Sequence, residues 1–191
     1  MKWPGKTRAY TLQASLRTRG LRLTRFPHAG EISAGRRVRA GRGSSIVVAG
    51  KLEFGDDLYL EDGAALYVAP GAMLTIGRNV YIGRASVVAA VRRIAIGNDV
   101  MIGEHCSVRD SDHRLASDER ARERAGTLAP LSDPVELGDD VWLGAGVRVL
   151  RGTVLAKGCV AAANTVARGA WPPNTLLAGV PARAIRRIGG A

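Results

Sequence analysis

The sequence predicts an all-β solenoid with three flat sides, on three observations. Four nine-residue segments align without gaps, LEFGDDLYL (52–60), LTIGRNVYI (74–82), IAIGNDVMI (94–102) and VELGDDVWL (135–143). Each reads aliphatic, any, apolar, Gly, any, Asp or Asn, aliphatic, large, aliphatic, which makes the repeating unit about twenty residues long. Their glycines, Gly55, Gly77, Gly97 and Gly138, are 22, 20 and 41 residues apart, and the last gap suggests two repeat lengths. A finer period of six runs inside the unit: Leu137, Leu143, Val149, Leu155 and Ala161 keep one phase. Each is followed four positions later by a small or β-branched residue, namely Val141, Val147, Thr153, Cys159 and Thr165. Six is neither the helical period nor plain alternation. Finally, only 5% of the residues are aromatic, as befits a narrow triangular interior that admits Ile, Val, Leu and Ala and little else.

The elements follow in chain order. Residues 1–43 hold eleven Lys or Arg against one acid, Glu31, and so carry +10 of the net charge of +11. Residues 1–35 read as a basic arm that must also cap the first coil, since Leu12, Leu16, Leu21 and Leu23 form a partial amphipathic pattern. Such an arm could rest on an anionic membrane surface, or its arginines could reflect the composition of the chain. It lacks the interleaved aromatics of a nucleic-acid platform, which argues against that partner. Residues 36–170 are the solenoid, each hexad one short strand with its aliphatic residue inward and with Gly, Asp and Asn turning the corners. The hexads stop between Val108 and Val135, so a loop is extruded over about 113–134; its middle, SDERARERA, could hold a helical turn or two. Pro172 and Pro173 end the solenoid, and over 171–191 a loop leads to ARAIRRI, long enough for a short terminal helix.

Several classes drop out. No run of about 18 apolar residues spans a membrane, and the opening MKWPGKTRAYTLQ has no apolar stretch behind its charges to act as a secretion signal. Cys106 and Cys159 cannot build a disulfide framework, and a reducing cytosol is the natural compartment. His105 and His113 stand eight apart with no suitable third histidine, and His28 lies in the arm, so no metal site is expected.

The hexads, with IGNDVMIGEHCSV, VELGDDVWLGAGV and the closing PPNTLLAGVPARAIR, resemble the hexapeptide-repeat acyltransferases, specifically the maltose, galactoside and polysaccharide O-acetyltransferase branch, over roughly residues 50–188. The resemblance implies a left-handed parallel β-helix, a homotrimer whose subunits share the active site, acetyl-CoA as cosubstrate and a saccharide hydroxyl as acceptor. It also implies that His113, at the mouth of the extruded loop, is the general base. A neutral imidazole can take the hydroxyl proton and return it to the departing thiolate. Asp110 and Asp112 flank it and could orient the ring or grip acceptor hydroxyls, with a solvated turn as the alternative. Where the branch carries an acceptor-binding Asn, an ungapped match through IGRNVYIGRASVV puts Ala85, which leaves the acceptor open. On the donor side the resemblance assigns Trp142 and Ala145 to the pantetheine channel and backbone groups of Ala145 and Ala162 to its amides. Arg168, Arg183 and Arg186 would meet the adenosine phosphates. N-acylation of an amino sugar keeps the same fold and donor site. A non-enzymatic solenoid that binds anionic partners through its basic arm is the other alternative.

Overall fold

The computed structural model describes residues 22–25, 30–113 and 131–189. Residues 1–21, His28 and the SDERARERA segment lie outside them, and so do the expectations placed there. Short strands wind around a triangular interior in seven coils. Coil 1 is Arg22–Arg25, Glu31–Ala34 and Arg39–Ala40; coil 2 is Ser45–Val48, Lys51–Phe54 and Leu58–Leu60. Coil 3 is Ala65–Val68, Met73–Ile76 and Val80–Ile82; coil 4 is Val87–Ala90, Arg93–Ile96 and Met101–Ile102. Coil 5 is Ser107–Arg109, Val135–Leu137 and Trp142–Leu143; coil 6 is Arg148–Val149, Val154–Leu155 and Val160–Ala161. Coil 7 is Val166–Ala167, Ala170–Trp171 and Thr175–Ala178. The first, second and third strands of each coil stack into three sheets, faces A, B and C, and every pairing between coils is parallel. The predicted all-β solenoid is the observed fold.

The hexad residues fill the interior. Leu143, Leu155 and Ala161 are fully buried, and Leu137 and Val149 nearly so. The residues four positions on, Val141, Val147, Thr153, Cys159 and Thr165, are buried at the inner corners, where little room is left. Corner hydroxyls keep their bonds local: the Ser86 hydroxyl donates to the Gly103 carbonyl at 2.7 Å and accepts from the Cys106 N–H at 2.9 Å.

The glycines of the repeat stand at the corner between faces B and C because coils touch there. A Cβ on Gly77 would lie 2.5 Å from the Gly97 carbonyl oxygen, and one on Gly97 would lie 2.7 Å from the Asp139 backbone nitrogen. The corner's left-handed φ falls instead on the Asp or Asn two places later, Asp57, Asn79, Asp99 and Asp140, with φ from 54° to 62°. These residue types tolerate that conformation best after glycine.

Four expectations need correction. The 41-residue gap is one coil, not two, because Ile94–Ile96 pairs directly with Val135–Leu137, and after Ser107–Arg109 the chain leaves the coil by Ser111–Asp112 and returns by Leu131–Ser132. The solenoid exceeds its predicted limits of 36 and 170: Arg22–Arg25 and Glu31–Ala34 pair with coil 2, and Thr175–Ala178 pairs with coil 6. Pro172 and Pro173 therefore do not end it; they sit at a corner, between Ala170–Trp171 and Thr175–Ala178, where no ladder bond is required. The terminal helix is a strand, Arg183–Arg187, antiparallel to Thr175–Ala178. A helix that short is marginal by itself, whereas the last edge of face C offers unpaired backbone groups that a returning strand satisfies.

Candidate active site

The extruded loop leaves the corner between faces A and B of coil 5, and its root is built from four contacts. Asp110, fully buried, accepts the backbone N–H groups of Val91, Arg92 and Arg93 at 2.8, 2.7 and 2.7 Å. It thereby caps the turn of the coil above. Ser111–Asp112 then pairs antiparallel with Leu131–Ser132, the returning leg. From the coil below, Arg151 reaches both legs: its Nε donates to Asp112 at 3.0 Å and its Nη1 to Asp133. Those two carboxylates, Asp112 foremost, hold the guanidinium pKa above its ordinary value. From the coil above, Arg92 donates to the Ser132 carbonyl at 3.3 Å.

His113 follows this clamped hairpin and is exposed. It therefore stands where the period breaks, as the sequence predicts. Asp110 does not have the acceptor-gripping or ring-orienting role expected of it. Both its oxygens are spent on backbone N–H groups and it has no exposed surface. Asp112 is exposed and engaged by Arg151 rather than by the imidazole. A cavity of about 330 Å³ opens on face A beside the loop root, lined among others by Ser107, Arg109, Ser111, Asp112 and Arg148. A larger hollow of about 480 Å³, along coils 1–4 near Glu53, Thr75 and Asn98, contains none of the candidate residues.

The other candidates fall elsewhere on the prism. Ala85 is exposed at the corner between faces C and A, with φ 53°, and its methyl group offers no hydrogen bond. Trp142 projects from face C of coil 5 with half its surface exposed. Ala145 and Ala162 turn the corner that follows in coils 5 and 6. The Ala162 N–H is already donated to the Leu177 carbonyl at 2.9 Å and its carbonyl accepts the Thr165 N–H at 3.2 Å, so only the carbonyl's second lone pair remains for a ligand amide. Arg183 and Arg186 lie exposed on the terminal strand beside face C. Arg168 sits apart from them, exposed after Ala167 at the corner between faces A and B, in line with Arg151 and His113. The chain thus presents two half-sets: His113, Asp112 and Arg168 along one corner, and Trp142, Ala145, Ala162, Arg183 and Arg186 on face C and around its edge.

Sequence reasoning missed Arg151. It lies in a corner turn, followed by Gly152, and only the stacking register places it beneath both legs of the loop, its nearer partner, Asp133, being 18 positions earlier. Among the described residues no cluster of His, Cys, Asp or Glu could hold a metal ion, and no helix is long and apolar enough to cross a membrane.

A triangular parallel solenoid with one extruded loop and a histidine at its mouth defines a class of protein, and comparison places the chain within it. The lipopolysaccharide biosynthesis protein WbbJ of Escherichia coli K12, which carries an assignment as an O-acetyl transferase, is 30% identical over 150 residues. Those residues are 72% of this chain and 72% of that protein. A Mycobacterium tuberculosis protein assigned as an acetyltransferase, Rv3034c, is 33% identical over 193 residues, which cover 97% of this chain but only 61% of that longer relative. The chain belongs to the hexapeptide-repeat acyltransferase family. Among solved structures, AntD, an N-acyltransferase from Bacillus cereus in complex with dTDP and coenzyme A, superposes with a TM-score of 0.70 at 14% identity. The match covers 95% of this chain and 89% of that one, and it is a likeness of fold. No protein-family profile matches the sequence.

Proposed function

We propose that the protein transfers an acetyl group from acetyl-CoA to a saccharide hydroxyl, with His113 as general base, in a site shared between the subunits of a homotrimer. The observation that carries this reading is the placement of His113, exposed at the end of the outgoing leg of the loop root and next in the chain to Asp112, which lines a cavity on face A. In the reaction the neutral imidazole takes the hydroxyl proton as the oxygen attacks the thioester carbonyl. The tetrahedral intermediate then expels the thiolate, which recovers the proton from the imidazolium. Charge on the intermediate's oxygen calls for a backbone donor. The Ala145 N–H, which meets no acceptor among the described residues, has the chemistry for that role or for a pantetheine amide.

Sharing between subunits accounts for the split half-sets. Face C also carries an in-register stripe of Tyr59, Tyr81, Met101 and Trp142, with Met101 and Trp142 about half exposed. An exposed apolar ladder of this kind suits a second copy of the chain. Acetyl-CoA as donor puts the enzyme on the cytoplasmic side, where the basic residues 1–43 suit a peripheral contact with anionic lipid.

The test is His113→Ala. Transfer, followed as thiol released from acetyl-CoA with saccharide present, should fall roughly 10²- to 10⁴-fold. The trimer, by light scattering, and CoA affinity, by titration, should be unchanged. Retained turnover removes the mechanism, and turnover with amino sugars alone replaces O-transfer by N-transfer.

A further inference from the structure

The face A cavity at the loop root, lined by Asp112 just before His113, carries a charge pattern that the reaction alone does not require. Face A over coils 5 to 7 points Ser107, Arg109, Arg148, Leu150 and Val166 outward, and no outward position of that face in coils 2–7 is a carboxylate. Face B differs, mixing Glu31, Lys51, Glu53, Arg93 and Glu136, with Lys51 paired to Glu53 at 2.8 Å. Arg109 and Arg148 make no ion pair among the described residues. The Arg109 Nε donates to Ser107 at 3.1 Å, and the Arg148 Nη1 donates to the backbone carbonyls of His105 and Gly146 at 2.5 and 2.9 Å. Among the described residues, neutral acceptors fix the two side chains without cancelling their charge. The one carboxylate on the cavity wall, Asp112, is bonded by Arg151, a guanidinium that it shares with Asp133.

The level of the charge along the solenoid identifies what it meets. In the proposed reaction the donor's phosphates lie at coil 7 and the terminal strand, with Arg168, Arg183 and Arg186. The uncharged thioester lies at coil 5, level with His113. Arg109 is in coil 5, so a charge there has no counterpart in the donor near the reacting carbonyl.

Resting on the saccharide O-acetyltransferase reading, we propose that the acceptor is an anionic sugar, its charge a carboxylate or a phosphate ester close to the acetylated hydroxyl, and that Arg109 with Arg148 reads that charge. A guanidinium fork pairs with either group in two parallel hydrogen bonds. Such a pair, in a partly enclosed cavity, is worth roughly tenfold or more in selectivity.

The experiment measures kcat/KM with acetyl-CoA for methyl pyranosides of gluco, galacto and manno configuration, the corresponding uronides and the corresponding 6-phosphates. At least one charged form should exceed its neutral parent by about tenfold or more, and the better arm tells carboxylate from phosphate. Arg109→Gln should bring that preference to within about twofold by raising the acceptor KM, leaving the acetyl-CoA KM unchanged, while Arg109→Lys should retain part of it. Arg148→Gln should act in the same direction. Neutral sugars used as well as charged ones overturn the proposal and leave the acetyltransferase reading standing. So does a rise in the acetyl-CoA KM in either Gln variant, which would mean that the arginines serve the donor. No transfer to any of the sugars overturns both.

Discussion

Ala85 shows how one side chain can be at odds with its backbone. It occupies a left-handed corner, φ 53°, where the other non-glycine residues with positive φ among the described residues are Asp, Asn, His and Arg. The steric cost for an L-residue there is roughly 1–2 kcal/mol, and Asn and Gly relieve most of it. Ala85→Asn should therefore stabilise the protein by about 1 kcal/mol, seen as a melting temperature roughly 2–4 °C higher. If Ala85 lines the acceptor subsite, the same change should also alter acceptor KM. Arg151 is the second residue whose role is local and decisive, because it joins the two legs of the loop root just before His113. On the proposed mechanism, Arg151→Met should lower kcat by about tenfold to a hundredfold through misplacement of His113, with little change in the acetyl-CoA KM. Arg151→Lys, which can reach one leg but not grip both, should fall between. Equal losses in the Met and Lys variants, or a loss in KM alone, would count against a positioning role.

At the scale of the strand and its corner, the repeat is held by what cannot be added. Gly77→Ala would place a methyl group against the Gly97 carbonyl across the coil boundary, in backbone that neither coil can move without breaking its ladder. It should destabilise by roughly 2–4 kcal/mol, a value within reach of denaturant unfolding and typical of overpacking against fixed atoms. Gly43→Ala, with open space around the position, should cost about 1–2 kcal/mol, from its positive φ alone. The same elements show where sequence was informative. Hexad phase located every strand from Leu137 to Ala161, because a period of six maps onto one face per strand. ARAIRRI was misread since its composition suits a helix, and only the open edge of face C, a feature of the neighbouring strand, draws it into a sheet. The role of Asp110 was likewise invisible: nothing in Asp-Ser-Asp-His tells which carboxylate turns inward to cap the coil above.

Across the whole molecule the corners form ladders of charge and hydrogen bonds. At the corner between faces B and C, the Asp56 and Asp139 carboxylates accept backbone N–H groups of Arg36 and Asn98 in the coil before, and Asp57 is gripped by Arg37. The Arg36 N–H on Asp56, the Arg37 guanidinium on Asp57 and the Asn98 N–H on Asp139 hold all three pKa values below the ordinary carboxylate value. A carboxylate depressed in the folded state contributes stability above its unfolded pKa, near 4, and loses it as pH falls through the folded value. Stability should accordingly be level from pH 7 to about 5 and decline below about 4, modestly because the groups are exposed to solvent. Thermal unfolding across that range checks this. A maximum near pH 4 would contradict the ladder account.

The sequence by itself determined the triangular solenoid, the place of its single rupture and the histidine at that place. Each of these is written as a period, or as a break in one, and a period needs no knowledge of distant neighbours. Tertiary structure alone decided that Asp110 is a buried cap, that Arg151 fastens the loop root, that the chain's end is a strand and that Arg168 stands at a different corner from Trp142, Arg183 and Arg186 on and beside face C. Those outcomes depend on which coil lies above or below which, and stacking register, not chain order, sets the charges and backbone groups each side chain meets.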